Sequence, residues 1–284
     1  MKLNFVKVNP VENMTIFVMD QVDSSHHITV ANRLMDYSNI HGEQVGFIGN
    51  PRSLKAKSLN TLRLQMMGGE FCGNATRSLA ALMVHLKLPS ISKIDNIYNI
   101  TLEVSGSQEL LNCEVRTTDK ENIYFSRVKM PLPQRISNSS LNFEDKRINI
   151  TRVDFVGITH YIVNGNEIEN KDEFYNNIKR NMYKEEYDAF GIMFYDSDKN
   201  YLTPLVYVKA TDSLYWERSC ASGSAALGVS LAYNKNSNLQ KKIKQPGGEL
   251  EVMVVLVDGK ISELFLDGKV EIIAEGIVYI DDQP

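Results

Sequence analysis

Cysteine, proline and tryptophan are scarce in this sequence, with three, eight and one of them among 284 residues. The cysteines, Cys72, Cys113 and Cys220, do not form the pattern of a disulfide framework, and no two of them have the close spacing of zinc ligands. We therefore expect reduced thiols and no metal site.

Excess basic charge and long apolar runs are also missing. The chain carries 31 Lys and Arg against 35 Asp and Glu, and the basic residues are scattered, which gives no support to nucleic-acid binding. No apolar run approaches the ~18 residues of a membrane-spanning helix, and residues 1–10 alternate like a strand rather than like a signal peptide. We expect a cytoplasmic protein without nucleic-acid or membrane partners.

Two similar stretches, each built around a cysteine, are present instead. The first spans 70–77, EFCGNATR, the second spans 217–224, ERSCASGS, and an apolar, alanine-rich run follows each. Small and capping residues followed by helical periodicity predict that one helix begins at Cys72 and another at Cys220. At a helix N-terminus the free N–H groups and the helix dipole favour an anion, which lowers the pKa of a thiol and can also hold a carboxylate.

The order of the predicted elements repeats along the chain, which indicates a diverged duplication. The break at 130–133 predicts a boundary between an N-terminal lobe, 1–128 with 269–284 returning to it, and a C-terminal lobe, 129–268. We expect an α+β fold of two pseudo-symmetric domains, each a mostly antiparallel β-sheet or barrel around a central helix, with the active site in the cleft between them. The last strands are predicted at 249–257, 260–266 and 271–279.

The duplication predicts that the two cysteines face each other across this cleft, and two opposed thiols suit one kind of chemistry. Inversion of a stereocentre by proton transfer needs a base on one face of the carbon and an acid on the other, and a thiolate and a thiol can exchange these roles. The α-carboxylate of an amino acid would bind at the two helix starts. Such a reaction needs neither pyridoxal phosphate nor a metal, so the expected partner is a small amino-acid substrate and no cofactor is expected.

Other hypotheses explain less of the pattern. A thiol–disulfide oxidoreductase would usually place its cysteines at CxxC spacing, which is missing. A cysteine hydrolase could pair one thiol with His160, but it would leave the second cysteine helix unexplained. Cys113 lies in a predicted strand with no cap or glycine beside it, which favours a place in the core.

At its two cysteines the chain resembles the diaminopimelate epimerase superfamily of cofactor-independent racemases. The motifs CGNGxR and ACG[ST]G of that superfamily correspond here to CGNATR at 72–77 and SCASG at 219–223. The likeness extends along nearly the whole chain. It includes Asn13, the Glu-Gln pair at 43–44, His160 and the Pro-Gly-Gly at 246–248.

This resemblance implies diaminopimelate-epimerase-like domains and a role for individual residues. Cys72 and Cys220 would be the two catalytic bases. Backbone amides would hold the substrate carboxylate at Gly73, Asn74, Ala221 and Ser222. Asn13 and Gln44 would line the site. We add Glu43, His160 and Glu217 as candidate substrate contacts, to which the resemblance assigns no role.

The departures concern the distal end of diaminopimelate. Epimerases of this substrate recognise that end with Asn-Pro-His, with an Asn in the strand after the second-half helix and with a Glu-Arg pair that begins nine residues before the second cysteine. Here these places hold ITH at 158–160, GIMF at 191–194 and TD at 211–212, while the pair 217–218 lies too close to Cys220 to match. A charged distal end without partners would be costly to bind.

A closer likeness is to the histidine racemases that supply D-histidine to staphylopine-type opine metallophores. It implies histidine racemisation, with diaminopimelate epimerisation and non-catalytic amino-acid binding as the alternatives, and it leaves a homodimer open. The pattern differs at Arg218, Ala221 and Ser224. The sequence segments shared with these racemases are NP at 9–10, NMTI at 13–16, EQVGFI at 43–48, EFCGNAT at 70–76, WE at 216–217 and QPGG at 245–248.

Overall fold

The computed structural model describes residues 1–88, 91–182, 187–209 and 212–281. The chain forms two compact units, one of Met1–Lys129 with Leu266–Pro284 and the other of Met130–Phe265. Strands outnumber helices in both, so the fold is α+β, as the sequence predicts. Thr211, at one of the positions that depart from the diaminopimelate epimerases, lies outside the described residues.

The first unit contains eight strands and three helices that lie wholly within it and within the described residues. The strands are β1 (Lys2–Asn9), β2 (Thr15–Val18), β3 (Gln44–Gly49), β4 (Arg63–Met66), β5 (Ser92–Ile94), β6 (Ile97–Val104), β7 (Leu111–Thr117) and β8 (Ile123–Lys129). The helices are α1 (His27–Met35), α2 (Leu54–Ser58) and α3 (Gly73–His85).

Among the described residues, pairing in this unit is mostly antiparallel and includes two parallel pairs. β1 is antiparallel to β2 and β3 to β4, while β2–β3 and β4–β6 are parallel; β6, β7 and β8 continue antiparallel. Parallel neighbours need a crossover connection, and α1 and α3 lie in the two crossovers. Because residues 73–84 of α3 are all buried, this helix forms the centre of the unit, and Cys113 on β7 is buried as predicted.

The second unit repeats this organisation. Its strands are β9 (Arg135–Phe143), β10 (Lys146–Phe155), β11 (Ile158–Asn164), β12 (Ala189–Asp196), β13 (Tyr201–Val208), β14 (Ser213–Trp216), β15 (Leu239–Gln245) and β16 (Gly248–Val257). Its helices are α4 (Lys171–Met182) and α5 (Ala221–Lys235).

Pairing in the second unit follows the same sequence of directions. β10–β11 and β12–β13 are antiparallel, β11–β12 and β13–β15 are parallel, and β15–β16 is antiparallel. The crossovers again carry α-helices, α4 in the first and α5 in the second. Each cysteine therefore precedes the helix of the second crossover in its unit.

The end of the chain corrects one sequence prediction. A single strand, β17 (Lys260–Tyr279), replaces the two strands expected at 260–266 and 271–279. The polar Asp-Gly-Lys that suggests a turn is held in the strand because Asp267 accepts hydrogen bonds from Arg116 and Arg127. Residues 271–279 of β17 pair with β1. Among the described helices, none combines the length and the apolar character that crossing a membrane requires.

Candidate active site

Cys72 is the N-cap residue of α3, as the sequence predicts. Its backbone is extended, with φ −129° and ψ 112°, and its Sγ accepts a hydrogen bond from the backbone N–H of Ala75 at 3.4 Å. The hydroxyl of Thr76 donates to the Cys72 carbonyl at 2.7 Å and closes the first turn. The sulfur thus lies at the positive end of a buried helix, which favours its thiolate form.

Four other predicted site residues of the first unit are joined to this sulfur by hydrogen bonds. The Cys72 thiol donates to Oε1 of Gln44 at 3.1 Å, and Nε2 of Gln44 donates to Oδ1 of Asn13 at 2.8 Å. Asn13 also accepts from Asn74 at 3.0 Å and donates to Glu43 at 2.9 Å. The structure therefore brings together the residues that the sequence predicts for this half of the site.

Arg77 is part of this cluster, although the sequence did not single it out as a site residue. Its side chain is fully buried and donates to Asn74, to the carbonyl of Pro10 and to the carbonyl of Lys269. Burial lowers the pKa of Arg77 to about 10, while the charges of Asp267 and Cys72 raise it. The guanidinium therefore stays charged at neutral pH. A charged residue in the first turns of the predicted helix, directly before its apolar run, was the signal that could have revealed it.

Cys220 occupies the matching position before α5. Its backbone is also extended, with φ −109° and ψ 111°, and its Sγ accepts from the N–H of Gly223 at 3.3 Å. The hydroxyl of Ser224 donates to the Cys220 carbonyl at 2.6 Å, as that of Thr76 does to Cys72. The sulfur caps a helix in the same way in both units.

Gln245 holds the Cys220 turn in place. Its Oε1 accepts from the Cys220 backbone N–H at 2.8 Å, and its Nε2 donates to Ser224 Oγ at 2.9 Å. This glutamine is buried at the end of β15, just before the Pro-Gly-Gly turn. In the sequence, Gln245 stands out only as part of the segment QPGG at 245–248, because the turn that it contacts, at Cys220, lies far away along the chain.

His160 also belongs to the second cysteine cluster. Its Nε2 lies 3.0 Å from Oγ of Ser222, and that oxygen lies 3.7 Å from the Cys220 sulfur. The imidazole is fully buried, which lowers its pKa to about 3 and keeps it neutral near pH 7. It can therefore supply a hydrogen bond here but no charge.

Glu217 affects Cys220 in the opposite sense from the helix. Burial raises the pKa of the Cys220 thiol well above its usual value, and the nearby Glu217 carboxylate raises it further by its charge and as a hydrogen-bond acceptor. Hydrogen bonds from Gly223 and Ser222 lower it. In this environment the proton stays on Cys220.

Both helix starts can bind an anion such as a substrate carboxylate, because the first-turn N–H groups point out of the helix and the positive end of the helix dipole lies there. At Cys72 the following residues are Gly73 and Asn74, and at Cys220 they are Ala221 and Ser222. A sulfur that can exchange a proton thus lies beside backbone donors in each unit. This combination suits proton transfer at a carbon next to a carboxylate.

Comparison with known proteins identifies the family. The family model for the histidine racemase CntK N-terminal domain matches residues 2–279. The chain belongs to the histidine racemase family. Membership identifies an isomerase that racemises an amino acid, and it confirms the resemblance found in the sequence.

Curated members of the histidine racemase family resemble the chain over almost its full length. A histidine racemase of Fusobacterium nucleatum subsp. nucleatum is 40% identical over 284 residues, which cover 98% of this chain and 97% of that protein. A histidine racemase of Staphylococcus aureus is 30% identical over 284 residues, with 98% of each chain covered.

Solved structures confirm the fold of this histidine racemase family member. A hydroxyproline epimerase from Agrobacterium vitis, with bound trans-4-hydroxy-L-proline, superposes with a TM-score of 0.71 at 10% identity, covering 99% of this chain and 93% of that one. A probable proline racemase from Agrobacterium radiobacter gives 0.68 at 12% identity, covering 100% and 93%. The α+β fold with two pseudo-symmetric domains is therefore the epimerase-like fold that the sequence predicts.

Proposed function

We propose that this racemase interconverts L- and D-histidine and that Cys72 and Cys220 are its two acid–base groups. Relatives at 40% and 30% identity that carry the name histidine racemase support the substrate. The observation that carries the mechanism is the repeated cap, in which each sulfur accepts a backbone N–H in the first turn of a helix.

The proposed reaction transfers one proton on each face of the α-carbon. One thiolate takes the α-proton, so that the C–H bond breaks, an S–H bond forms and the electron pair stays on the carbon and its carboxylate. The other thiol then gives its proton to the opposite face, where a new C–H bond forms. The carboxylate would accept hydrogen bonds from the backbone at Gly73, Asn74, Ala221 and Ser222, which stabilise the added negative charge.

The two thiols differ in the proton that each holds before substrate binds. Burial and Glu217 hold the proton on Cys220, whereas the positive charge of Arg77 favours the thiolate at Cys72. We infer that Cys72 begins the reaction as the base and Cys220 as the acid for one enantiomer. For the other enantiomer the protonation states are exchanged.

The same proposal extends to the remaining candidate contacts and to the use of the product. Asn13 and Gln44 would line the substrate site, with Glu43, His160 and Glu217 as further contacts. Neither pyridoxal phosphate nor a metal takes part. D-histidine made in the cytoplasm would feed an opine metallophore of the staphylopine type.

A substrate panel tests this proposal. Purified protein, with no added cofactor, is given L-histidine, L-proline, other L-amino acids and LL-diaminopimelate, and the stereoisomers formed are separated by chiral chromatography. We expect D-histidine to form fastest. Turnover of diaminopimelate in preference to histidine would establish the epimerase alternative, and histidine binding without turnover of any compound would establish a binding protein.

Single Cys72→Ser and Cys220→Ser variants test the mechanism, with Cys113→Ala as the matched control. We expect each serine variant to lose nearly all racemisation, because a serine hydroxyl is a far weaker acid than a thiol. Cys113 is a buried strand residue, and its alanine variant should keep the wild-type rate. A serine variant that still racemises histidine at the control rate would refute the two-thiol mechanism.

A further inference from the structure

Arg77 can only donate hydrogen bonds, and this fixes the orientation of the amide that it contacts. Its Nε and Nη2 atoms lie 3.1 and 3.0 Å from Oδ1 of Asn74. Two donors on one atom identify that atom as the carbonyl oxygen. The Nδ2 group of Asn74 must therefore point the other way, where it meets Oδ1 of Asn13 at 3.0 Å.

Asn13 is fixed from two sides. Its Oδ1 accepts from Asn74, and its Nδ2 donates to the Glu43 carboxylate at 2.9 Å, which can only accept when ionised. A donor-only guanidinium and an acceptor-only carboxylate thus impose one direction on the hydrogen bonds. Oδ1 of Asn13 is left to accept from Gln44 as well, at 2.8 Å.

The hydrogen bonds of Gln44 orient its side-chain amide so that the carbonyl oxygen faces the Cys72 sulfur. Its Nε2 donates to Asn13 and to Oγ1 of Thr15 at 2.7 Å. The Thr15 hydroxyl uses its own hydrogen on the Asn13 backbone carbonyl, so its oxygen is an acceptor for Gln44. Both hydrogens of the Gln44 amide are then engaged, and Oε1 faces Cys72 Sγ at 3.1 Å.

We propose that Arg77 and Glu43 are positioning residues that act through Asn74, Asn13 and Gln44 to hold a carbonyl oxygen against the thiol of Cys72. A thiol donates to this oxygen, whereas a thiolate would be repelled by it, so the contact favours protonated Cys72. This inference rests on the proposed function, in which Cys72 must serve as an acid for one enantiomer and as a base for the other.

Charged groups around Cys72 also affect the equilibrium between its thiol and thiolate forms. The positive charge of Arg77 and the N-terminus of α3 favour the thiolate. Glu43, reached through Asn13, is negative, and Asp267 acts on Arg77 from β17. The Gln44 carbonyl offsets the groups that favour the thiolate, which leaves both protonation states of Cys72 accessible.

We call the hydrogen-bonded path from Arg77 and Glu43 through Asn74, Asn13 and Gln44 to Cys72 the relay. Titration of Cys72 tests this relay without any turnover. In a Cys113→Ala, Cys220→Ser background Cys72 is the only thiol, and its ionisation can be followed by ultraviolet thiolate absorbance. Gln44→Met removes the acceptor, and we expect the titration midpoint to fall by about 0.7 pH units, the equivalent of one hydrogen bond. Asn74→Ala keeps both charges and should lower the midpoint by a smaller amount, because Glu43 still orients Asn13.

A double-mutant cycle decides whether Asn74 acts through Gln44. In the Gln44→Met background, Asn74→Ala should no longer shift the midpoint. Three results would each overturn the relay. They are an equal shift from Asn74→Ala in both backgrounds, no shift from Asn74→Ala when Gln44 is present, and a midpoint in Gln44→Met that is unchanged or higher. If Asn74→Ala fails to fold by circular dichroism, Thr15→Val replaces it in the same cycle, because it frees one Gln44 hydrogen at nearly constant shape.

The titration also separates this inference from the proposed function. Wild-type protein that racemises histidine while the cycle shows no coupling would overturn the relay alone. The expected coupling in a protein that does not racemise histidine would overturn the proposed function alone.

Discussion

His160 and Ser222 are joined by a hydrogen bond of 3.0 Å between Nε2 and Oγ. The other ring nitrogen, Nδ1, is buried and has no hydrogen-bond partner among the described residues. A buried N–H without a partner is rarer than a buried acceptor without one, so the hydrogen belongs on Nε2. Ser222 then accepts from His160 and can donate its own hydrogen to the Cys220 sulfur.

The first prediction concerns the tautomer of His160. Because burial lowers its pKa to about 3, the ring should remain neutral in the native protein, with its hydrogen on Nε2. Nitrogen-15 NMR of histidine-labelled protein should show this tautomer unchanged from about pH 5 to pH 8. A ring that titrates near pH 6.5, or one that carries its hydrogen on Nδ1, would contradict this account.

The second prediction is the effect of His160 on stability at low pH. Between its unfolded pKa of 6.5 and its folded pKa of about 3, only the unfolded chain takes up the proton, so stability falls as pH falls. The slope is about 1.4 kcal/mol per pH unit. In urea unfolding, wild type should therefore lose ~2 kcal/mol more than His160→Gln between pH 6.5 and about pH 5. Equal losses would refute the buried neutral ring.

The third prediction compares two glycines of α5. A Cβ atom at Gly223 would lie 2.3 Å from Met193 Sδ and 3.0 Å from Cys220 Sγ, whereas one at Gly228 would lie 2.4 Å from Val252. Alanine at either position should cost about 1–3 kcal/mol of unfolding free energy through overpacking. Only Gly223→Ala displaces the sulfur, so only this variant should lower kcat, by roughly tenfold or more.

Thermal melts and racemisation rates per folded molecule distinguish these two glycine variants. Gly228→Ala is the matched control, because it introduces a similar clash in the same helix without approaching Cys220. Equal losses of kcat in both variants would mean that general destabilisation explains the effect.

The fourth prediction is that Glu217 adds to the effect of burial in keeping Cys220 protonated. Glu217→Gln removes a negative charge that favours the thiol, so the pKa of Cys220 should fall towards its ordinary value. The change can be measured by thiolate absorbance in a Cys72→Ser, Cys113→Ala background. A midpoint that stays in place or rises would show that the carboxylate does not act on this sulfur.

The parts of the fold that depend on local sequence could be predicted. Both helix starts at the cysteines follow from small residues, capping residues and an apolar run within one stretch. The buried position of Cys113 follows from its place in an alternating strand. These signals need no knowledge of distant contacts.

Features that depend on distant partners could not be predicted from the residues alone. The role of Arg77 requires the carbonyl of Lys269, and that of Gln245 requires the turn at Cys220. β17 continues through a turn-like sequence because Arg116 and Arg127 bind Asp267. In each case a tertiary contact determines the outcome, and no local pattern encodes it.

Isotope incorporation is the most direct test of the two-thiol mechanism. Wild-type protein is incubated briefly with L-histidine in deuterated water. The two enantiomers of histidine are then separated, and the deuterium content of each is measured by mass spectrometry. Because one thiol removes the α-hydrogen and another supplies its replacement, we predict deuterium at the α-carbon of D-histidine while the remaining L-histidine is still unlabelled. Early labelling of both enantiomers, or D-histidine that keeps the original hydrogen, would contradict two bases on opposite faces.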